Sequence, residues 1–261
     1  MGLPILGAIV RGTSELLKEA RMTQVQGSSW KDAEVARRFL DERRRAIPLG
    51  DEQVQIMLRV ARRFVPQPTR VIDLGCGDGF LARAVLSEFP MAHALLIDHS
   101  EPMLRRAHET MSPFSGRHEI RHGSMSEPLP PQVGEDPLDL IVSGYAIHHL
   151  PTARKRSLYG EVFSLLAPGG LFVNVEHVAS ATPELEAVHD ETYIDHIVAV
   201  TGRDRTEVER DYHGRPDKAD NILEPVEVQV SWLREIGFEQ ADCYFKWLEL
   251  AVFGGRKPLG I

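Results

Sequence analysis

The sequence predicts an α/β fold: an open sheet of seven strands, with helices ahead of it and a helical insertion late in the chain. Three observations predict it. From Arg70 onward, short β-branched runs alternate with helical patterns, which is the rhythm of a parallel sheet. Residues 71–79, Val-Ile-Asp-Leu-Gly-Cys-Gly-Asp-Gly, join a buried strand to a helix through a turn with glycines at alternate positions. A length of 261 residues, 43% of them hydrophobic, fits one α/β domain with an added cap.

The elements follow in order. Helices are expected over 14–22 and 31–45, the second opening after Ser28 and Ser29 with Asp32 and Glu34 in its first turn. Its Val35, Phe39 and Leu40 form an apolar stripe opposite Arg37, Arg38 and Arg43 to Arg45. A third helix, 52–64, turns Val54, Met57, Leu58 and Ala61 inward and stops at Pro66 and Pro68. Strand 70–74 and helix 79–89 flank the glycine turn, and strand 93–97 ends at Asp98 before helix 101–111. Strand 118–122 runs into a loop holding Pro128, Pro130, Pro131 and Pro137. Strand 138–143 precedes helix 152–166, Ala167 to Gly170 reads as a turn, and 171–176 is the fifth strand. Helix 225–236 leads through Gly237 into strands 239–245 and 247–253. Between strand five and that last helix, residues 177–224 hold two helical stretches, 183–200 and 204–212. An insertion of this length usually forms a lid or a substrate-binding cap.

Charge is placed unevenly. The net is −8, yet residues 1–70 carry 13 Lys/Arg against 8 Asp/Glu, and residues 178–224 carry 5 against 12. The acidic balance argues against a broad basic surface for nucleic acid. The apolar run Leu3 to Val10 is too short to span a bilayer and lacks a basic leader and cleavage site, so no membrane association is expected. Two cysteines, Cys76 and Cys243, make neither a disulfide framework nor a thiolate metal site. A cytoplasmic, reduced protein is expected, and a homodimer is left open.

The glycine turn differs from the dinucleotide fingerprint, whose third glycine comes three residues after the second. Asp73-Leu74-Gly75-Cys76-Gly77-Asp78-Gly79 instead resembles the first motif of class I S-adenosylmethionine-dependent methyltransferases. Four more stretches resemble that family in order. These are Ser100 to Leu104, Ser143 to Leu150, Ala167-Pro168-Gly169-Gly170, and the C-terminal Trp232 to Phe238 with Leu248 to Gly254. The resemblance covers about 70–176 and 225–257, so the chain divides into an N-terminal helical cover (1–69), that core, and a helical cap insertion (177–224). It implies a Rossmann-like, doubly wound sheet with the last strand antiparallel, and S-adenosyl-L-methionine as cofactor.

Ligands of open α/β sheets bind outside the carboxyl ends of the strands. Asp98 stands at such an end, where a carboxylate accepts two hydrogen bonds from a ribose diol. Asp73, Gly75 and Gly77 in the turn, His99 and Met103 after Asp98, and Ser143 at the end of strand four complete the expected cofactor contacts. Ser124 stands where the family usually has an Asp for the adenine amino group; its hydroxyl, with backbone N–H groups near Met125, is the expected substitute.

Methyl transfer from a sulfonium is an in-line displacement, so alignment and exclusion of water matter most, and a base helps only a protonated acceptor. His148, His149, Glu176, His177 and His189 are candidates; His149 is chosen, with His177 second. Glu186 and His189 stand one turn apart, a spacing able to bind iron or manganese with other ligands, but interspersed acids on a helix read as exposed and no metal is expected. Arg37 or Arg38 could pair with the methionine carboxylate of the cofactor, beside an equally simple reading as a solvated helix face.

The expected function is methyl transfer to a small-molecule acceptor, with the acidic cap leaning toward a cationic or amine one. RNA (tRNA) or protein methylation is the alternative, resting on Arg43 to Arg45 and on Arg62 and Arg63. A second alternative is a non-catalytic cofactor-binding partner subunit.

Overall fold

The computed structural model describes Ser29, Asp32 and residues 47–129 and 136–260. The helices expected over 14–22 and 31–45, with Arg37 and Arg38, lie outside the described residues. Among the described residues, seven helices and seven strands follow one another (short 3-10 turns aside) as α1 Gly50–Phe64, β1 Arg70–Leu74, α2 Phe80–Glu88, β2 His93–Asp98, α3 Glu101–Thr110, β3 His118–His122, β4 Leu138–Gly144, α4 Thr152–Leu165, β5 Leu166–His177, α5 Pro183–Thr201, α6 Arg205–His213, α7 Val226–Ile236, β6 Glu239–Trp247 and β7 Leu250–Arg256. The strands form one sheet in the order β3-β2-β1-β4-β5-β7-β6. β1 pairs in parallel with both β2 and β4, while β7 runs antiparallel to β5 and β6. The expected Rossmann-like sheet with its last strand antiparallel is therefore present.

Side-chain alternation along the central strands makes two cores. Val71, Leu140, Val142, Val173 and Val175 point to one face, where Val54, Met57, Leu58 and Ala61 of α1 and Leu81 and Val85 of α2 cover them. Ile72, Leu74, Ile141 and Phe172 point to the other, under Leu158 and Val162 of α4 and Val230 and Leu233 of α7. α1 thus buries the stripe its periodicity predicts.

Two boundaries differ from the sequence reading. Ala167 to Gly170 does not precede a strand but lies inside β5: Leu138 pairs with Leu166 and Leu140 already with Leu171, so the extra residues loop out. Gly169, at φ +81°, supplies the turn. Strand seven begins at Leu250 rather than at residue 247, because Trp247 pairs directly with Leu250 across a two-residue turn, Leu248-Glu249. That turn holds no Gly, Asn or Asp, and Leu248 takes φ +50° without one. It is therefore invisible to a search for turn residues.

The insertion folds as predicted into two helices, α5 and α6, which pack on each other through Ile194, Val208 and Tyr212. Thr182 caps α5 by accepting from the Leu185 amide, and Asp204 caps α6 by accepting from Thr206 and Glu207. The segment returning from the cap is tied to the end of β4. Ile222 donates its amide to His148 O at 3.0 Å. The buried Lys155 of α4 donates Nζ to Leu150 O at 2.6 Å and also to Ile222 O. No helix among the described residues is long and apolar enough to cross a membrane.

Candidate active site

The glycine turn after β1 is shaped by backbone requirements. Gly75 and Gly77 take φ of +67° and +55°, which side chains rarely tolerate. A Cβ on Gly75 would stand 2.3 Å from Ala146 Cβ, so Gly75 lets the two loops approach. A Cβ on Gly77 would meet nothing nearer than Met103 Sδ at 4.0 Å; its open side faces the cavity. Asp73 accepts the Ala82 amide at 2.9 Å, fixing the start of α2 against β1. Asp98 accepts Gly77 N with one oxygen and Ser100 N with the other, both at 2.8 Å. Its carboxylate thereby holds the glycine turn and the N-cap of α3 in fixed relation. Ionised carboxylate oxygens keep further lone pairs for hydroxyl donors.

These elements enclose a cavity of 480 Å³, within the usual size of small-molecule sites. Asp73, Gly75, Gly77, Asp98, His99, Met103, Ser124 and Met125, expected to contact the cofactor, all line it. Ser143 does not. It is fully buried and donates its hydroxyl to Leu74 O at 2.7 Å, a staple between β4 and β1. Ser124 faces the cavity while its hydroxyl accepts the Ser126 amide at 3.1 Å. The positive-φ glycines, the open side of Gly77 and the carboxylate at the end of β2 fit a bound adenosyl group. Asp98 would take the ribose hydroxyls, and the segment at Ser124 and Met125 the adenine.

The opposite wall comes from the end of β4. Tyr145 holds φ +51° because its amide is tied to Val175 O at 2.8 Å, and its hydroxyl donates to Gln53 Oε1 of α1 at 2.6 Å. Gln53 is itself anchored on Pro48 O at 3.0 Å, so α1 is pinned over the cavity. His149 lines the cavity and is half-buried. Burial, and then the neighbouring His148 imidazole, push its pKa down to about 3. It is neutral at physiological pH.

Behind His149 runs a row of histidines, of which His148 and His189 are buried and His177 is half-buried. The His148 ring lies 3.9 Å from that of His149 and 5.7 Å from that of His177, which lies 5.6 Å from His189. His148 Nδ1 contacts Glu176 Oε1 at 2.5 Å, and the His148 amide reaches Glu176 Oε2 at 3.0 Å. Burial raises the Glu176 carboxyl and holds His148 well below its usual value. His177 does not line the cavity. Its Nε2 meets Glu249 Oε2 at 2.8 Å, and His189 Nε2 stands 3.7 Å from the same oxygen. Glu186, expected beside His189, is exposed and belongs to neither group. Glu249 was not visible in the sequence as a site residue, because it read as the middle of a strand. Burial pushes its carboxyl up, but hydrogen bonds from His177 and Ser180 and the imidazole charges outweigh this and hold it below the ordinary value. Burial pushes His189 down to about 4.

Comparisons with known proteins agree with this geometry. Residues 71–170 match the model of a methyltransferase domain. The carboxy-S-adenosyl-L-methionine synthase of Shewanella amazonensis is 27% identical over 230 residues, spanning 87% of this chain and 91% of the relative. The enzyme of that name from Nitratiruptor is 25% identical over 225 residues, spanning 85% and 90%. An O-methyltransferase family protein from Burkholderia thailandensis superposes with a TM-score of 0.58 at 18% identity, covering 86% of this chain but 63% of that longer one. The domain match falls on the segment that holds the glycine turn, the carboxylate at the end of β2 and the β4 loop, and together these findings support a class I S-adenosylmethionine-dependent methyltransferase.

Proposed function

We propose that the chain transfers the methyl group of S-adenosylmethionine to a small-molecule acceptor seated against the Tyr145–His149 wall. The observation that carries this reading is the single cavity that joins the glycine turn and Asp98 to His149. The cofactor, when bound, supplies a methyl on a positively charged sulfur with an excellent leaving group. What remains for the protein is alignment and exclusion of water. α1, pinned through Gln53 to Tyr145, covers the cavity. His149, neutral and with its pKa near 3, is a weak base. Its role is to accept a hydrogen bond from the acceptor and orient it, which suits a nucleophile that needs no strong base, such as a neutral amine. The excess of acidic residues over 178–224 supports a cationic or amine molecule rather than RNA.

The test is release of S-adenosylhomocysteine with panels of amine, thiol and hydroxyl acceptors. Turnover with one class, falling about a hundredfold in His149→Ala while cofactor affinity holds, is expected. Full turnover in His149→Ala would remove the orienting role, and no turnover with any class would remove the reading.

A second reading is favoured by the curated relatives, which this chain matches along most of their length and which are named for carboxylating the cofactor itself. It gives a distinct readout. With a carboxylic acid able to give up its carboxyl group as donor and no methyl acceptor present, mass analysis would show S-adenosylmethionine heavier by one CO2, its methyl losing a proton as the donor's bond to the carboxyl carbon breaks.

A further inference from the structure

We propose that His177, His189 and Glu249 form a binding site for one divalent transition-metal ion that clips the cap to the core. The three residues come from separate elements: His177 ends β5, Glu249 sits in the turn between β6 and β7, and His189 belongs to cap helix α5. One donor atom from each lies within 4.8 Å of the others. Two imidazoles and one carboxylate are the set that holds zinc or iron in three positions and leaves others open. Two nitrogen ligands in three favour such an ion over magnesium or calcium.

The distances suit it. Metal bonds of about 2.0–2.1 Å at tetrahedral angles place donor atoms about 3.3 Å apart. The two donor separations from Glu249 Oε2, 2.8 Å to His177 and 3.7 Å to His189, bracket that spacing. The third separation, between the two imidazoles, is also within 4.8 Å, so side-chain adjustment brings the three donors around one ion.

Hydrogen bonding alone leaves His189 unexplained. It is 1% exposed. Its Nδ1 has no hydrogen-bond partner among the described residues, and its Nε2 stands beyond hydrogen-bond reach of Glu249. A buried imidazole in that condition is costly unless something else meets it. Glu249 is also aimed. The Ser180 amide donates to Oε1 at 3.2 Å, leaving Oε2 toward the imidazoles, as an outer-shell partner orients a ligating carboxylate. The turn that carries it has Leu248 at φ +50°, and Glu249 is buried within it.

Because His189 alone comes from the cap, an ion there would fasten α5 to the sheet. The experiment uses the full chain, free of affinity tag and stripped with chelator. Co²⁺ is titrated and followed by its visible absorption, and Zn²⁺ by calorimetry with Mg²⁺ as comparison. The expected result is one Co²⁺ or Zn²⁺ per chain at micromolar affinity, slower proteolysis of the cap, and no response to Mg²⁺. Affinity should fall at least about tenfold in both His189→Ala and Glu249→Gln. It should be unchanged in Glu186→Gln, whose carboxylate is exposed on the same helix. Glu249→Gln keeps the shape of the turn, so it reports even if His189→Ala folds poorly. Absence of binding by either ion, or equal binding in wild type and Glu249→Gln, would overturn the proposal.

Discussion

His148 and Glu176 meet across the ends of neighbouring strands, with Nδ1 at 2.5 Å from Oε1 and the His148 amide on the other carboxylate oxygen. Both side chains are buried, so the carboxylate sets the tautomer of one histidine and, through ring contact, the position of the next, His149. Glu176→Gln should therefore cost about 1–3 kcal/mol of stability, the range for leaving a buried partner poorly matched. It should lower turnover while leaving S-adenosylmethionine affinity intact. Urea unfolding and calorimetry check the two halves separately.

Gly75 is the tightest point of the glycine turn. Gly75→Ala forces a Cβ to 2.3 Å from Ala146 Cβ at φ +67°. The left-handed backbone alone costs about 1–2 kcal/mol, and the clash moves the β4 loop away from the cavity. Thermal unfolding should shift downward and cofactor affinity should drop. A variant with wild-type melting and binding would show that the loops have room the structure does not show.

Lys155 is buried with its ammonium on two backbone carbonyls, Leu150 O and Ile222 O. Burial lowers its pKa to about 8. Lys155→Met removes the donor both carbonyls share and should destabilise the chain by about 1–3 kcal/mol. Because Ile222 ends the return from the cap, hydrogen exchange there should rise more than in β1.

Stability should fall as pH drops from about 6.5 toward 4. His149 and His189 have folded pKa values of about 3 and 4, and His148 is also depressed, each by burial first. An unfolded histidine takes its proton near pH 6.5. Between these values the unfolded chain binds more protons, so stability rises with pH through the window and levels off above it. Glu249, held low by its hydrogen bonds, acts in the same direction, while the raised carboxyl of Glu176 acts in the opposite one. Melting temperature measured from pH 4 to 8 should show a single rise and a plateau; a maximum near pH 5 would contradict the neutral-histidine core.

Much of the fold was legible because its periodicities are local. The stripe of Val54, Met57, Leu58 and Ala61 and the strand runs around Asp73 and Asp98 were read as they stand, and so were both cap helices. The cavity residues were legible for the same reason, since strand ends converge in any open α/β sheet. Ser143 was misplaced because position along a strand does not say which side a hydroxyl leaves from; its hydroxyl meets Leu74 O rather than the cavity. Glu249 was missed because the turn at Leu248 uses tertiary packing in place of glycine or asparagine. Its meeting with His177 and His189 joins residues far apart in sequence, which no spacing rule detects.

Calorimetric titration of S-adenosylmethionine into the wild-type chain and into Asp98→Ala tests the central claim most directly. The cavity geometry predicts micromolar binding of the cofactor and of S-adenosylhomocysteine to wild type, weakened at least about tenfold in the variant, since hydrogen bonds to a charged group contribute about 1.5–3 kcal/mol. Failure of wild type to bind either, or equal binding by Asp98→Ala, would contradict it.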